Sequence, residues 1–108
     1  RYRLPIQVGQ TEALAISAGL QNEPTQRPST NDLFGNLLDQ IDGEIDEVRI
    51  TKLRDTVFYA EILITCGGKQ IRLDARPSDG IALALKQRAR IRVGQQVIKE
   101  AGIENHST

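Results

Sequence analysis

Four side chains that could bind a metal ion or a phosphate lie close together between Ile71 and Leu85. They are Asp74, Arg76, Ser78 and Asp79. Two carboxylates beside an arginine can hold a divalent cation and the oxygen atoms of a phosphate group. The same residues could equally begin a helix and form a salt bridge, because serine and aspartate are common near helix starts. Residue chemistry alone leaves both interpretations open.

The hydrophobic pattern predicts that these side chains lie where a strand runs into a helix. Apolar residues recur at every second position up to Ala75, and after Gly80 they form a helix-length run. Pro77 suits the first turn of that helix. The stretch Arg27-Pro-Ser-Thr-Asn-Asp32 is similar and precedes another apolar helical pattern. Since helix N-termini beside arginines bind anions, two such starts near one another would form a phosphate pocket.

Short strands and helices alternate with turn signals along the rest of the chain. The predicted strands are Leu4–Val8, Ile45–Leu53, Val57–Cys66, Lys69–Ala75 and Ile91–Val93. The predicted helices are Glu12–Leu20, a second that starts at Ser29 or Thr30 and ends at Gly43, then Ser78–Arg88 and Gln95–Ala101. We expect one domain over residues 1–104 and a disordered tail over residues 105–108.

Gly67-Gly68 predicts a two-residue hairpin turn, which fixes the pairing of its two strands. One face is then apolar, with the pairs Ile64–Ile71, Ile62–Leu73 and Ala60–Ala75. On the other face Glu61 lies directly opposite Asp74, which is unfavourable by a few tenths to about 1 kcal/mol unless a positive charge intervenes. Arg72 and Arg76 could supply that charge, and so could a bound Mg²⁺ or Mn²⁺ ion.

The loop of the preceding hairpin must hold an odd number of residues to keep its apolar residues on the same face. Val48 and Ile50 must share the face of Ile62. The stretch Arg54-Asp55-Thr56 therefore predicts a three-residue loop with a bulge.

Composition excludes several kinds of protein. The 14 basic and 14 acidic residues balance, with a pI near 6.8, which is not typical of a protein that coats DNA. Cys66 is the only cysteine, so a reducing cytoplasm is expected. His106 is the only histidine, which excludes a Ser-His-Asp triad and histidine-based zinc sites. No signal peptide or membrane-length apolar run is visible, so no membrane association is expected.

Several motifs resemble the bifunctional nuclease domain family. They are Leu4-Pro-Ile, Glu12-Ala, Arg27-Pro-x-Thr-x-Asp-Leu33, Ile50-Thr-x-Leu-Arg-Asp55, Phe58-Tyr-Ala60 and Leu73-Asp-Ala-Arg-Pro-Ser-Asp-Gly-Ile-Ala-Leu-Ala-Leu85. The resemblance implies an α+β fold with a mostly antiparallel, barrel-like sheet, short helices and two related halves. It also implies activity on RNA and DNA, and self-association as a dimer or a larger homo-oligomer.

Two departures from the family pattern affect these expectations. Asn31 stands where the family usually has histidine, so any role of that histidine is lost or moved. The family also has further strands before the Leu-Pro-Ile segment, so the first half of the sheet is expected to lack its N-terminal strands.

The resemblance and the residue chemistry together favour a metal-assisted nuclease. Its catalytic residues would be Asp74, Asp79 and Arg76. The ligands of Mg²⁺ or Mn²⁺ would come from Asp74, Asp79, Glu61, Glu12 and Asp32, and Arg27, Arg54, Ser78 and Thr30 would contact the nucleic acid. The alternative is a non-catalytic module that self-associates or binds a protein or an anionic ligand. The nuclease hypothesis requires these side chains to share one open pocket.

Overall fold

Four helices and six strands make up the part of the chain that the computed structural model describes, residues 2–21 and 26–104. The strands are β1 (Tyr2–Arg3), β2 (Gly43–Arg54), β3 (Val57–Cys66), β4 (Lys69–Ala75), β5 (Arg90–Val93) and β6 (Ile103–Glu104). The helices are α1 (Gln10–Gln21), α2 (Thr30–Gln40), α3 (Pro77–Gln87) and α4 (Gln95–Ala101).

The main sheet has four strands in the order β4-β3-β2-β5. The pairs β2–β3 and β3–β4 are antiparallel and β2–β5 is parallel, while β1 and β6 form a separate two-stranded sheet. The predicted α+β class is confirmed. The sheet is open rather than barrel-like, because β4 and β5 are edges within the described residues.

The hydrophobic core lies on one face of this sheet. Val48 and Ile62 pack there with Leu38 of α2 and Leu83 of α3. A second cluster joins Ile50 and Ala60 to Val97 of α4, and α1 packs on α3. The helices that contact the sheet therefore lie on one side of it, and the other side consists of strand residues whose side chains are mostly polar.

Close contact between α3 and the sheet depends on Gly80. A Cβ atom at this position would lie 2.6 Å from Cγ1 of Val48, whose side chain is fully buried. Real Cβ atoms do not approach other atoms so closely, so only glycine lets the two backbones lie at this separation.

The predicted register of the β3–β4 hairpin is confirmed. Gly67 and Gly68 form its turn with φ angles of 59° and 77°, and Glu61 lies opposite Asp74. Positive φ at both central positions is the conformation that glycine adopts without steric cost.

The predicted three-residue loop between β2 and β3 is wrong. The loop has two residues, Asp55 and Thr56, with φ angles of 51° and 64°. The extra residue is Thr51, which lies inside β2 where the register shifts between Ile50 and Lys52. A bulge within a strand changes the side-chain parity as an odd loop would, so the hydrophobic pattern could not distinguish them.

Other boundaries also differ from the predictions. The segment Leu4–Val8 forms no strand; Leu4 and Ile6 instead pack against the second core cluster as irregular chain. Helix α2 begins after the N-cap Ser29, as predicted, but Asp42 rather than Gly43 takes the left-handed conformation after it, with φ of 56°. Aspartate tolerates this conformation because its short polar side chain can bond locally. The predicted tail, residues 105–108, lies outside the described residues.

Candidate functional site

A row of charged side chains crosses the sheet on the face opposite the helices. Asp74 of β4 lies opposite Glu61 of β3, Glu61 lies opposite Arg49 of β2, and Arg49 lies opposite Arg92 of β5. Directly opposite residues share a face, so the four side chains form one row. Its acidic half lies on β4 and β3, and its basic half lies on β2 and β5.

Two further charged residues, Glu47 and Arg90, lie opposite each other beside the basic half of this row. Nε of Arg49 bonds Oε2 of Glu47 at 2.6 Å. This hydrogen bond holds the pKa of the Glu47 carboxyl below its usual range, with further lowering by the charges of Arg49, Arg92 and Arg90. One carboxylate thus sits among three arginines, and the β2–β5 side of the face carries a net positive charge.

The two carboxylates of the acidic half form no ion pair within residues 2–21 and 26–104, although Arg49 lies opposite Glu61 on the neighbouring strand. Cβ atoms of directly opposite residues lie about 4.5–5.5 Å apart, so the Glu61 and Asp74 carboxylates are close neighbours. Arg76 bonds other residues, and the structure records no ion pair for Arg72, Glu61 or Asp74 among residues 2–21 and 26–104. The arginine network that could have neutralised the pair is therefore not formed within one copy of the described chain.

An open cavity of about 430 Å³ adjoins this carboxylate pair. Its lining consists of Thr51, Lys52, Tyr59, Glu61 and Asp74. Nζ of Lys52 lies 4.8 Å from the centre of the Tyr59 ring, within the range of a cation–π contact. We call these five residues the sheet-face site. It combines two carboxylates, an ammonium group and an aromatic ring.

The bulge at Thr51 is what brings Lys52 beside Tyr59 in the site. Because the bulge adds one residue to β2, Lys52 pairs directly with Tyr59 on the polar face. The Thr51 hydroxyl also donates a hydrogen bond of 3.4 Å to the Tyr59 carbonyl oxygen. Bulges commonly redirect side chains near functional sites.

A second cluster joins the starts of α1 and α3. Arg76 donates two hydrogen bonds to Asp79, of 2.8 and 2.9 Å, and its Nη1 lies 3.4 Å from Oε2 of Glu12. The pKa of Arg76 is raised, first by the hydrogen bond and charge of Asp79 and then by Glu12. The adjoining cavity of about 490 Å³ is also lined by residues 5–9, 56–58 and the buried Ser78. We call this the helix-junction cluster.

A third cluster joins α2 to α3 through Asp32. Oδ2 of Asp32 accepts from the Ser29 N–H at 3.0 Å, the Ser29 hydroxyl accepts from the Asp32 N–H at 3.1 Å, and Nζ of Lys86 lies 2.9 Å from Asp32 Oδ1. The pKa of Asp32 is lowered, chiefly by the hydrogen bond from Lys86 and then by that from Ser29. Asp32 is thus engaged as a cap and an ion-pair partner.

The site residues suggested by the sequence therefore fall into separate clusters. Glu61 and Asp74 lie in the sheet-face site, Glu12, Arg76 and Asp79 lie in the helix-junction cluster, and Asp32 pairs with Lys86. Arg27 and Thr30 are exposed around the start of α2, and Arg54 is exposed at the end of β2. The catalytic and binding roles of all these residues stay predictions.

The donor set can be compared with what a metal ion requires. Within residues 2–21 and 26–104, no three His, Cys, Asp or Glu side chains lie close enough to hold a metal ion together. A site of two carboxylates suits Mg²⁺, which is often bound by one or two carboxylates and keeps several of its waters. Glu61 and Asp74 fit that pattern, whereas Glu12 and Asp79 both bond Arg76.

Sequence reasoning missed Lys52, Tyr59, Arg49 and Arg92 as site residues. Arg49 and Tyr59 could have been found, because pairing Val48 with Ile62 places Arg49 opposite Glu61, and Tyr59 shares the face of Glu61 on β3. Lys52 could not, because it reaches this face only through the bulge at Thr51. Arg92 could not, because its position depends on the parallel pairing of β2 with β5, which are distant in the chain.

Fold and site together define an α+β domain whose open sheet face separates acidic from basic side chains. The model of the bifunctional nuclease domain matches residues 1–106, and the chain belongs to this family. No helix among the described residues has the length and apolar character needed to cross a membrane.

Similar proteins occur in bacteria and plants. A protein of Mycobacterium tuberculosis, described as uncharacterized, is 39% identical over 103 residues, which cover 95% of this chain and 60% of that protein. Bifunctional nuclease 2 of rice is 29% identical over 94% of this chain and 32% of its own length, and bifunctional nuclease 1 of Arabidopsis thaliana is 25% identical over 93% and 32%. The chain thus spans only part of the relatives it matches.

Proposed function

We propose that this domain hydrolyses phosphodiester bonds in RNA and DNA at the sheet-face site, assisted by Mg²⁺ or Mn²⁺. The observation that carries the proposal is that Glu61 and Asp74 lie opposite each other beside an open cavity and form no ion pair among the described residues. Two like charges held opposite each other destabilise the sheet unless they bind something positive. Membership in the bifunctional nuclease domain family supports the substrate class.

Glu61 and Asp74 would hold the divalent cation. Such an ion stabilises the negative charge that develops on phosphate oxygens during hydrolysis. The carboxylates are directly opposite on adjacent strands, so the backbone ladder fixes their spacing without help from a loop. Sites built on strands hold their ligands more precisely than sites built on loops.

The other residues of the sheet-face site would bind the nucleic acid. Lys52 would bind a phosphate group, since its ammonium carries three donors and lines the same cavity as the carboxylates. The Tyr59 ring would stack on a base, which is a sequence-tolerant contact. Arg49 and Arg92 would extend the positive surface along the row towards β5. The cleaved strand would then run across the sheet from its basic to its acidic half.

We assign a positioning role to the helix-junction cluster. The Arg76 guanidinium is already bonded by the carboxylates of Asp79 and Glu12, and a phosphate would have to displace one of them. These bonds link the start of α3 to α1, and α3 follows β4 directly. Arg76 would thereby hold the end of β4, and with it Asp74, in place.

The proposal is tested with purified protein, single-stranded RNA or DNA and Mg²⁺ or Mn²⁺. Asp74→Asn and Glu61→Gln should each lower kcat by about 100-fold or more, since metal stabilisation contributes several kcal/mol. The control is Asp55→Asn, the same chemical change at an exposed carboxylate in the β2–β3 turn. Activity that survives both site substitutions would reject this site.

Isothermal titration separates this function from the non-catalytic alternative. The wild type should show saturable heat with Mn²⁺, and the Asp74→Asn variant should show none. If neither Mn²⁺ nor a short oligonucleotide produces heat with the wild type, the domain is a binding or assembly module instead.

A further inference from the structure

Strand β4 is an exposed edge that carries apolar residues. It ends the sheet order, and six of its seven residues are exposed. Ile71 and Leu73 lie on the helix-packed face, yet they are 39% and 37% exposed. The strand has no proline, and its pairing with β3 has no bulge, so it lacks two common features that block edge-to-edge pairing.

The β3–β4 register determines which backbone groups of β4 face outward. A two-residue turn closes on a hydrogen-bonded pair, here Cys66 with Lys69, and such pairs alternate along an antiparallel ladder. Residues 69, 71, 73 and 75 therefore direct their backbone groups at β3. The outward groups belong to Gln70, Arg72 and Asp74, and a new strand could pair only with these.

We propose that the edge pairs with the same strand of a second copy of this chain, antiparallel and centred on Leu73. In this register Arg72 lies opposite Asp74 of the partner subunit, and Asp74 lies opposite Arg72 of the partner subunit. Leu73 meets its own counterpart on the helix-packed face. The two sheets would join into one sheet of eight strands.

Charge complementarity selects this register over its neighbours. A shift by two residues in one direction sets Arg72 opposite Arg72 of the partner subunit. A shift in the other direction sets Asp74 opposite Asp74 of the partner subunit. Like charges directly opposite each other are unfavourable. A shift by one residue would place each residue with outward backbone groups opposite a residue whose backbone groups already bond β3.

The pairing would also resolve two features that one copy leaves unsatisfied. It would cover Ile71 and Leu73, and it would place a guanidinium beside Asp74, which forms no ion pair within the described residues of its own subunit. Arg72 of the partner subunit would then stand at the rim of the sheet-face site. The pairing itself does not depend on the proposed nuclease activity, because its physical basis is the edge and its charges.

Charge reversal tests the register without reference to activity. Arg72→Glu alone sets two carboxylates opposite each other at both contacts, and Asp74→Lys alone sets two cations opposite each other at both. Each variant should sediment as a monomer at concentrations where the wild type is a dimer. A one-to-one mixture should form dimers again, because both contacts of the mixed pair join opposite charges. One contact keeps the original Arg72–Asp74 pair, and the other carries the same pair with its charges reversed. Native mass spectrometry should show one copy of each variant.

A disulfide test gives a second readout. In a Cys66→Ala background, Leu73→Cys should oxidise to a covalent dimer, because opposite non-hydrogen-bonded residues have Cα atoms about 4.5 Å apart. The matched control Ile71→Cys should not, because its two copies would lie four residues apart along the strands, about 14 Å. A monomeric wild type, single charge variants that still form dimers, a mixture that stays monomeric, or equal cross-linking at positions 71 and 73 would each overturn the proposal.

Discussion

Asp74→Asn should make the metal-free domain more stable while removing its activity. The side chain keeps its size, and one of two opposing carboxylates loses its charge. Opposite like charges cost a few tenths to about 1 kcal/mol, so the free energy of unfolding should rise by that amount. For a domain of about 100 residues, 1 kcal/mol corresponds to a Tm increase of about 4–8 °C, which sets the upper limit.

A divalent cation should reverse the order of stability of the wild type and the Asp74→Asn variant. An ion that binds only the folded state stabilises it by about 2.7 kcal/mol at 100 times its Kd. The wild type should gain this stabilisation with Mn²⁺ or Mg²⁺, and Asp74→Asn should gain little. The variant would thus melt above the wild type in chelator and below it in saturating Mn²⁺, with nuclease activity lower by about 100-fold or more.

The assay is thermal unfolding in dilute solution, where copies of the chain are separate, with activity measured on the same samples. Asp55→Asn is the control, because this exposed carboxylate has φ of 51°, a conformation that asparagine tolerates well. A variant less stable than the wild type in chelator would show that Asp74 makes a stabilising contact. Equal stabilisation of both proteins by Mn²⁺ would show that the ion binds elsewhere.

Three further predictions concern the elements that support the site. Asp32→Ala should cost about 1 kcal/mol, measured by urea unfolding, through loss of its cap and ion pair. Because the folded-state pKa of Asp32 is lowered, this contribution is complete above about pH 4 and is lost as the pH falls further. A stability difference between wild type and variant that does not change with pH would contradict the ion pair. Gly80→Ala should cost about 1–3 kcal/mol by overpacking against Val48. The control Gly35→Ala, whose new methyl group would meet only the flexible end of a glutamine, should be neutral or stabilising. Equal losses of stability for Gly80→Ala and Gly35→Ala would show that the close α3–sheet contact does not cause the loss. Arg76→Gln should lower stability by less than about 1 kcal/mol, since its ion pairs are largely exposed, and should change kcat far less than Asp74→Asn; a loss as large as that of Asp74→Asn would place Arg76 in the chemistry.

Local patterns were sufficient where neighbouring residues determine the geometry. The β3–β4 hairpin, with Glu61 opposite Asp74, follows from a two-residue glycine turn, because such a turn permits one register. The cap of α2 at Ser29 follows from a short-range bonding pattern. In both cases the bonds that form the feature join residues close in the chain.

Features that depend on distant segments were beyond local reasoning. The segment Leu4–Val8 has the composition of a strand, but it finds no strand partner among the described residues and packs as irregular chain. The hydrophobic pattern predicted a loop of odd length between β2 and β3, whereas the loop has two residues and the extra residue lies within β2 at Thr51.

By itself, the sequence determined the family, the α+β class and the opposition of two carboxylates on one hairpin. Only the tertiary structure decided that Arg76 bonds Asp79 and Glu12 rather than the Glu61–Asp74 pair, and that Arg92 joins the charged row. The physical reason is that a turn fixes register through a few local bonds. Docking of α1 on α3 and parallel pairing of β5 with β2 instead arise from burial of surfaces that lie far apart in the chain.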